Sequence, residues 1–168
     1  MLRILGAGLV IVGCSSAGYS IVHSHKQEKH MLRCLINAIQ EMEWELKYRI
    51  TPLPELCRVG SFAARGQVGE VLAILADRLE KGNVAEISSC MNALASDSTI
   101  PRRVRHCLRE LGKSLGKYDL EGQIQGLETV RNECRRELEE LEEGGSERLR
   151  SYQTLAICAG AALAILFI

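Results

Sequence analysis

The residue types that most often do chemistry are present in this chain, but they are not spaced as in an active site or a metal site. None of the seven cysteines forms a C-x-x-C pair. His23, His25 and His30 are close in sequence, yet no cysteine or carboxylate stands at zinc-ligand spacing from them. There is also no phosphate-binding loop, nucleophile elbow or pair of catalytic carboxylates. We therefore expect no catalytic residue, cofactor, metal or small-molecule substrate, and predict that the protein is not an enzyme.

The cysteines are better explained as small buried hydrophobic residues. Several of them fall on apolar faces of predicted helices, and two lie in the uncharged ends of the chain. An odd and scattered set of thiols is typical of a reducing compartment, where disulfides do not persist. The set consists of Cys14, Cys34, Cys57, Cys90, Cys107, Cys134 and Cys158.

The most clearly specified local feature is a corner between two helices at residues 42–55. Thr51 can cap the second helix through its hydroxyl, and Pro52 suits the first helical position. Glu55 would then lie near the positive end of the helix dipole. Pro52 also disfavours helical backbone at the residue before it, so the first helix is expected to end by about Ile50.

The helix before this corner carries an acidic residue on its apolar face. On a wheel of about 100° per residue, Glu43 falls in the middle of that face, whereas Glu45 and Tyr48 lie on the far side with Glu41. A buried carboxylate is costly unless it is paired. Two interpretations remain open, a structural salt bridge to an arginine of a neighbouring helix and a partner contact or functional switch. The apolar face, on a helix from about residue 26 to 50, consists of Leu32, Leu35, Ile36, Ile39, Met42, Leu46 and Ile50.

Composition favours an all-α protein without affinity for nucleic acid. The 168 residues contain 21 basic and 21 acidic side chains, so net charge draws the chain to neither nucleic acid nor an acidic partner. Aromatic residues make up only 4% of the chain, and no long period-two alternation predicts a sheet. The fold is therefore predicted to be a helical bundle.

Both ends of the chain resemble membrane segments. Residues 4–22 carry no charge and are long enough to cross about 30 Å of hydrocarbon as a helix. Residues 155–168 are apolar or small, and the stretch approaches the length of a span when it is counted from Tyr152. We predict an N-terminal transmembrane helix at 1–23, a helical bundle at 24–151 and a C-terminal transmembrane helix at 152–168.

The basic residues that flank the two segments place the bundle in the cytoplasm, with both termini across the membrane. Lys26, Lys29 and Arg33 follow the first segment, and Arg148 and Arg150 precede the second. An alternative is a lipoprotein-type cleavage box that ends at residue 14, which would tether an exported domain through a lipid on that cysteine.

Five further helices are predicted between the apolar ends. The last of them begins at Asp119, an N-cap candidate, and carries a heptad-like apolar seam up to a predicted hinge at Gly144-Gly145. Its seam residues are Leu120, Ile124, Leu127, Cys134, Leu138 and Leu141. The earlier helices run from Leu53 to near Gly66, from Val68 to Glu80, from Val84 to about Ala95, and onward from Pro101.

The helix after Pro101 has two distinct faces. Val104, Cys107, Leu108, Leu111 and Leu115 form the apolar face. A basic stripe lies opposite, and it is either an ordinary solvated surface or a docking surface for an acidic protein or anionic lipid. The stripe consists of Arg102, Arg105, Arg109 and Lys113, with His106 and Lys117 beside it.

The chain resembles the stage III sporulation protein AB family in two motifs and in its apolar ends. The first motif is Glu43-x-Glu45-x-x-Tyr48-x-x-Thr51-Pro52-Leu53-Pro54-Glu55. The second is Leu111-Gly112-x-x-Leu115-Gly116-x-x-Asp119-x-x-x-Gln123. The resemblance covers essentially the whole chain.

This resemblance implies a sporulation role in the mother-cell membrane of an endospore-forming bacterium. The family's soluble part is similar to the cytoplasmic domain of type II secretion platform proteins. A non-enzymatic platform of this kind would dock a cytoplasmic ATPase, stage III sporulation protein AA, to the channel complex between mother cell and forespore. The alternative is a membrane-tethered adaptor or signalling stalk that self-associates through the Asp119–Glu143 helix.

We expect docking surfaces in two places. The first is the corner, where the polar groups of Glu43, Glu45 and Tyr48 would organise the bundle and the docking face. The second is the basic stripe, of which Arg102 and Arg105, together with Arg109, are the candidates.

Overall fold

The computed structural model describes the backbone of residues 2–81, 87–94, 96, 99–116 and 119–167, and the side chains of these ranges between residues 24 and 143. In these ranges all regular structure is helical, as the sequence predicts. The helices are α1 (Leu2–Arg49), α2 (Leu53–Ala64), α3 (Gly66–Glu80), α4 (Ile87–Leu94), α5 (Arg102–Ser114) and α6 (Leu120–Phe167).

The chain forms two compact units. One unit is Glu28–Glu139, which holds the second half of α1, helices α2 to α5 and the first part of α6. The other consists of Met1–Gln27 and Glu140–Ile168. Among the described residues, no helix combines the length and the apolarity needed to cross a bilayer. The two predicted spans, 1–23 and 152–168, fall where the structure describes no side chains, so they remain predictions.

The core of the Glu28–Glu139 unit is built from the apolar faces that the sequence predicts. All of the predicted stripe on α1 is buried up to Leu46, and so is the predicted apolar face of α5. The period-3.6 apolar residues of α3 are buried too, namely Val68, Val71, Leu72, Leu75 and Leu79. Helix α2 packs against α3, α3 against α4, and α4 against α5. Each helix has one apolar face, and burial of these faces against one another holds the short helices in place.

Ile50 departs from the prediction that it would lie on the buried stripe. Helix α1 ends at Arg49, and Ile50 takes a left-handed backbone conformation with φ of 50°. Its side chain therefore leaves the helical register and is 71% exposed.

The predicted seam on α6 is partly wrong. Leu127, Cys134 and Leu141 are buried as expected, but Leu120 is exposed at the first turn of the helix. Val130, which the predicted seam omits, is buried instead. The buried seam positions are therefore already covered within the chain, which argues against a stalk that dimerises through this helix.

The predicted hinge at Gly144-Gly145 is absent from the backbone of α6. The helix continues through both glycines to Phe167. Two glycines each cost about 1 kcal/mol in a helix interior, and the long helical segments on either side outweigh that local preference.

Candidate functional site

Glu43 forms an ion pair that links the first and last helices of the bundle. Its side chain is buried, with only 5% of the residue exposed, and Oε1 lies 3.3 Å from Nε of Arg131 on α6. Arg131 is itself 17% exposed and also lies 3.7 Å from Glu128. The predicted salt bridge to an arginine of another helix is therefore confirmed.

The charged groups of Glu43 and Arg131 are close enough for an ion pair, but their geometry is not that of a hydrogen bond. Glu43 Oε1 and Arg131 Nε are both buried, and neither makes a well-aligned hydrogen bond. Desolvation raises the pKa of the Glu43 carboxyl, and the positive charges of Arg131 and Lys47 only partly oppose that shift. Glu43 therefore connects α1 to α6 through a carboxylate that is buried from solvent.

Glu45 and Thr51 close the corner between α1 and α2. The Thr51 hydroxyl donates a hydrogen bond to Glu45 Oε2 over 2.9 Å, and Arg49 lies 3.4 Å from the other carboxylate oxygen. The predicted capping role of Thr51 is wrong, because α2 has no side-chain cap and its N-cap residue is Pro52. The Thr51 hydroxyl donates its hydrogen bond to the Glu45 carboxylate, six residues earlier, instead.

The other corner residues set the start of α2. The Pro52 carbonyl accepts a hydrogen bond from the Leu56 amide over 2.9 Å, so Pro52 precedes the helix and does not occupy its first turn. Pro54 lies in the first turn and is half-buried, and Glu55 is the exposed acidic residue expected near the helix N-terminus.

Tyr48 faces solvent at this corner, beside an aromatic residue that the motif does not include. Trp44 and Tyr48 are 61% and 68% exposed, and their ring centroids are 4.3 Å apart. The spacing of four residues places them one turn apart on one helix face. Two aromatic residues four positions apart on a predicted helix are visible in the sequence, so the contact between these rings could have been predicted.

Some basic side chains of α5 lie close to an acidic side chain, and others do not. Arg103 is bonded to Glu137 of α6, His106 Nε2 lies 4.0 Å from Glu133, and Lys113 lies 2.7 Å from Glu110. Within the described residues no carboxylate pairs with the three arginines of the predicted docking stripe. These are Arg102 and Arg109, both exposed, and the half-buried Arg105.

The glycines of the second motif serve packing. A Cβ atom on Gly112 would lie 2.6 Å from Met91 Cβ, so this position allows α4 and α5 to approach closely. Gly116 follows the end of α5 with φ of 74°, a conformation that a side chain would strain.

Asp119 caps α6 as predicted. Its Oδ1 accepts a hydrogen bond from the Gly122 amide over 3.2 Å, and its carbonyl accepts one from the Gln123 amide over 2.9 Å. Gln123 is half-buried in the first turn of the helix.

The described cysteines are free, and four of the five are buried. Burial raises the pKa of Cys57 to about 12. The pKa of Cys134 is also raised, first by a hydrogen bond with Cys107 and then by burial. Thiols in this state are poor nucleophiles and act as hydrophobic core residues. Among the described residues, no three His, Cys, Asp or Glu side chains are grouped so that they could hold a metal ion.

Comparisons with known proteins agree with this architecture. The sequence model of the family described as Stage III sporulation protein AB (spore_III_AB) matches residues 3–168. Stage III sporulation protein AB of Bacillus subtilis (strain 168) is 21% identical over 169 residues, which cover 99% of each chain. A solved structure of Stage III sporulation protein AB (SpoIIIAB) superposes with a TM-score of 0.62 and 18% identity, over 73% of this chain and 98% of that chain. The chain belongs to the stage III sporulation protein AB family.

Proposed function

We propose that this sporulation protein is a non-enzymatic membrane platform that docks a cytoplasmic ATPase, stage III sporulation protein AA, to a channel complex between mother cell and forespore. Residues 1–23 and 152–168 would anchor it in the mother-cell membrane, with the Glu28–Glu139 unit in the cytoplasm. We also propose that the helical bundle is similar to the cytoplasmic domain of type II secretion platform proteins.

The observation that supports the docking role is a set of arginines on α5 that pair with no carboxylate in the part of the chain that the structure describes. Neighbouring basic side chains on the same helix, namely those of Arg103, His106 and Lys113, lie close to Glu137, Glu133 and Glu110 respectively. The arginines at 102, 105 and 109 recur every three or four residues, and therefore form one continuous positive strip on a rigid helix. A carboxylate-bearing protein surface would supply the missing counter-charges in bidentate geometry.

A protein surface fits this strip better than anionic lipid does. The apolar face of α5 is buried in the bundle, so the helix has no hydrophobic side to insert into a bilayer.

Charge reversal on the strip tests the proposal. The double variant Arg105→Glu/Arg109→Glu is expected to weaken binding of the purified ATPase to the full-length protein by about tenfold or more, mainly through a slower association rate. Wild-type binding should weaken as salt increases, because exposed charges are screened. Surface plasmon resonance with the protein in lipid nanodiscs measures both effects.

The matched control is Arg78→Glu, which reverses an exposed cation near the end of α3. It should leave ATPase binding unchanged, and circular dichroism should show that both variants keep the helical content of the wild type. Normal binding by the folded α5 variant, or no binding by the wild type, would refute the proposed docking role.

A further inference from the structure

The three arginines of the α5 strip share one helix face but differ in exposure. Arg102 and Arg109 are exposed, whereas Arg105, which lies between them, is half-buried. At spacings of three and four residues, the three side chains are neighbours on the helix surface. The middle charge of the strip is therefore partly shielded from water, so solvent and salt would screen its attraction to an opposite charge less than they screen the outer two.

The positive charge of Arg105 is not balanced within the part of the chain that the structure describes. Its backbone amide bonds to the Pro101 carbonyl over 3.0 Å, but no described carboxylate pairs with its guanidinium. Arg103, two residues earlier, is bonded to Glu137 of α6 instead. Shielding a cation from water without a counter-charge is unfavourable. The placement of Arg105 is therefore better explained by binding to a partner than by stability of the bundle.

The backbone that carries Arg105 is held against α6 by contacts on both sides of it in sequence. Arg103 is bonded to Glu137, and His106 Nε2 lies 4.0 Å from Glu133. A binding group on a fixed helix loses less entropy when a partner arrives than one on a mobile loop.

The strip also has a definite length, with Arg105 near its middle. It begins at Arg102, the first residue of α5, and it ends at Arg109, because Lys113 one turn further on lies 2.7 Å from Glu110. Seven residues of helix rise by about 10 Å, which is about two turns. The residues that dominate a binding energy cluster near the centre of an interface, whereas charges at its rim mainly set the association rate.

We propose that Arg105 is the hot spot of this docking surface, where its guanidinium binds one carboxylate of the ATPase through two parallel hydrogen bonds. Arg102 and Arg109 attract the acidic surface of the ATPase and contribute mainly to the rate of association. The planar guanidinium matches a carboxylate in this way, whereas an ammonium group does not. This inference rests on the proposed docking function and assigns its specificity to one residue.

Three variants that preserve charge separate the role of Arg105 from that of positive charge alone. Charge reversal slows association by repulsion, whereas a lysine leaves the field of the strip unchanged. In Arg105→Lys the purified ATPase should dissociate about tenfold faster from the full-length protein in nanodiscs, the effect of one hydrogen bond to a charged group. The matched controls Arg102→Lys and Arg109→Lys should stay within about threefold of the wild-type dissociation rate, as expected for exposed charges. Surface plasmon resonance measures the rates.

Removal of the charge should divide the three arginines in the same way. Arg102→Gln and Arg109→Gln should slow association and weaken its dependence on salt, with little change in dissociation. Arg105→Gln should mainly accelerate dissociation, by about tenfold or more. It should also unfold at a temperature no lower than that of the wild type, because the guanidinium pairs with no carboxylate in the described part of the bundle.

The outcomes distinguish this inference from the docking function on which it rests. If the wild-type protein does not bind the ATPase, both fail. If the wild type binds and Arg105→Glu/Arg109→Glu binds more weakly, docking at the strip stands, and equal dissociation rates in the three lysine variants would overturn the role of Arg105 alone. Unfolding of Arg105→Gln below the wild-type temperature would overturn it too, because the guanidinium would then stabilise the bundle.

Discussion

Thr51 Oγ1 and Glu45 Oε2, six residues apart, are joined by a hydrogen bond of 2.9 Å. The bond spans Ile50, whose left-handed conformation turns the chain from α1 toward α2. Glu45 thus stabilises the corner through its hydrogen bond with Thr51, while the Tyr48 side chain is exposed to solvent. Among the polar residues of the first motif, Glu45 and Thr51 therefore shape the corner, whereas Tyr48 and Glu55 are exposed at the surface.

Loss of this hydrogen bond should loosen the corner without unfolding the helices. Thr51→Val keeps the shape of the side chain but removes the donor, and it is expected to lower the free energy of unfolding by about 1.5–3 kcal/mol, the range for a hydrogen bond to a charged group. Thr51→Ser retains the hydroxyl and should stay within about 0.5 kcal/mol of wild type. Urea unfolding followed by circular dichroism measures both, and equal losses in the two variants would contradict the bond's role.

Removing one partner of the Glu43–Arg131 pair should lower the free energy of unfolding more than replacing both partners by apolar residues. Arg131→Met leaves the buried carboxylate without its closest counter-charge and is expected to cost about 2–3 kcal/mol, somewhat below a fully buried pair because Arg131 retains some solvent contact. In the double variant Glu43→Leu/Arg131→Met, both charges are gone and stability should return to within about 1 kcal/mol of wild type. Denaturant unfolding tests this, and additive losses in the double variant would show that the two residues act independently.

The pH dependence of stability should reveal the raised pKa of the Glu43 carboxyl. The folded state holds this proton to a higher pH than the unfolded state, for which the ordinary value is about 4.3. The stabilising contribution is therefore complete below about pH 4 and is lost as pH rises through the folded pKa. Glu43→Gln cannot lose a proton, so its stability relative to wild type should increase from about pH 4 to pH 7.

Denaturant midpoints measured across this pH range provide the test. The exposed Glu55→Gln variant is the control and should show no comparable increase. A relative stability of Glu43→Gln that instead decreases with pH would mean that the attraction of Arg131 outweighs the desolvation of the carboxyl.

Gly112 should resist substitution because of the close approach of α4. Alanine at this position places its Cβ atom 2.6 Å from Met91 Cβ and 2.8 Å from Met91 Cγ, so one helix must move. Such overpacking costs about 1–3 kcal/mol, which exceeds the helix propensity of up to about 1 kcal/mol that alanine gains over glycine. Gly126→Ala meets Ser114 Cβ at 3.1 Å and should cost less. Thermal unfolding of the two variants compares them, and a more stable Gly112→Ala would refute the close contact.

The sequence predicts the helices and their buried faces well, because apolar residues recur at the helical period. The apolar faces of α3 and α5 are buried, and of the two interpretations that the sequence leaves open for Glu43 the structure shows the salt bridge. Which arginine provides it could not be predicted. Arg131 lies on a helix distant in sequence, and periodicity carries no information about how two such helices pack.

The corner shows where local rules fail. Thr51 has the residue type and position of a helix cap, but its hydroxyl donates to the carboxylate of Glu45, six residues earlier. Ile50 has the angular position of a core residue, but a left-handed backbone at one residue turns it outward. In both cases the backbone conformation and contacts at the end of α1 override the sequence pattern. The helical wheel nevertheless places Trp44 beside Tyr48 correctly.

The contact between Glu43 and Arg131 also constrains how related chains can diverge. A buried charge left alone is penalised, so a change at either position creates selective pressure for a compensating change at the other. The two positions should therefore covary among homologues, either retained as opposite charges or replaced together by uncharged side chains.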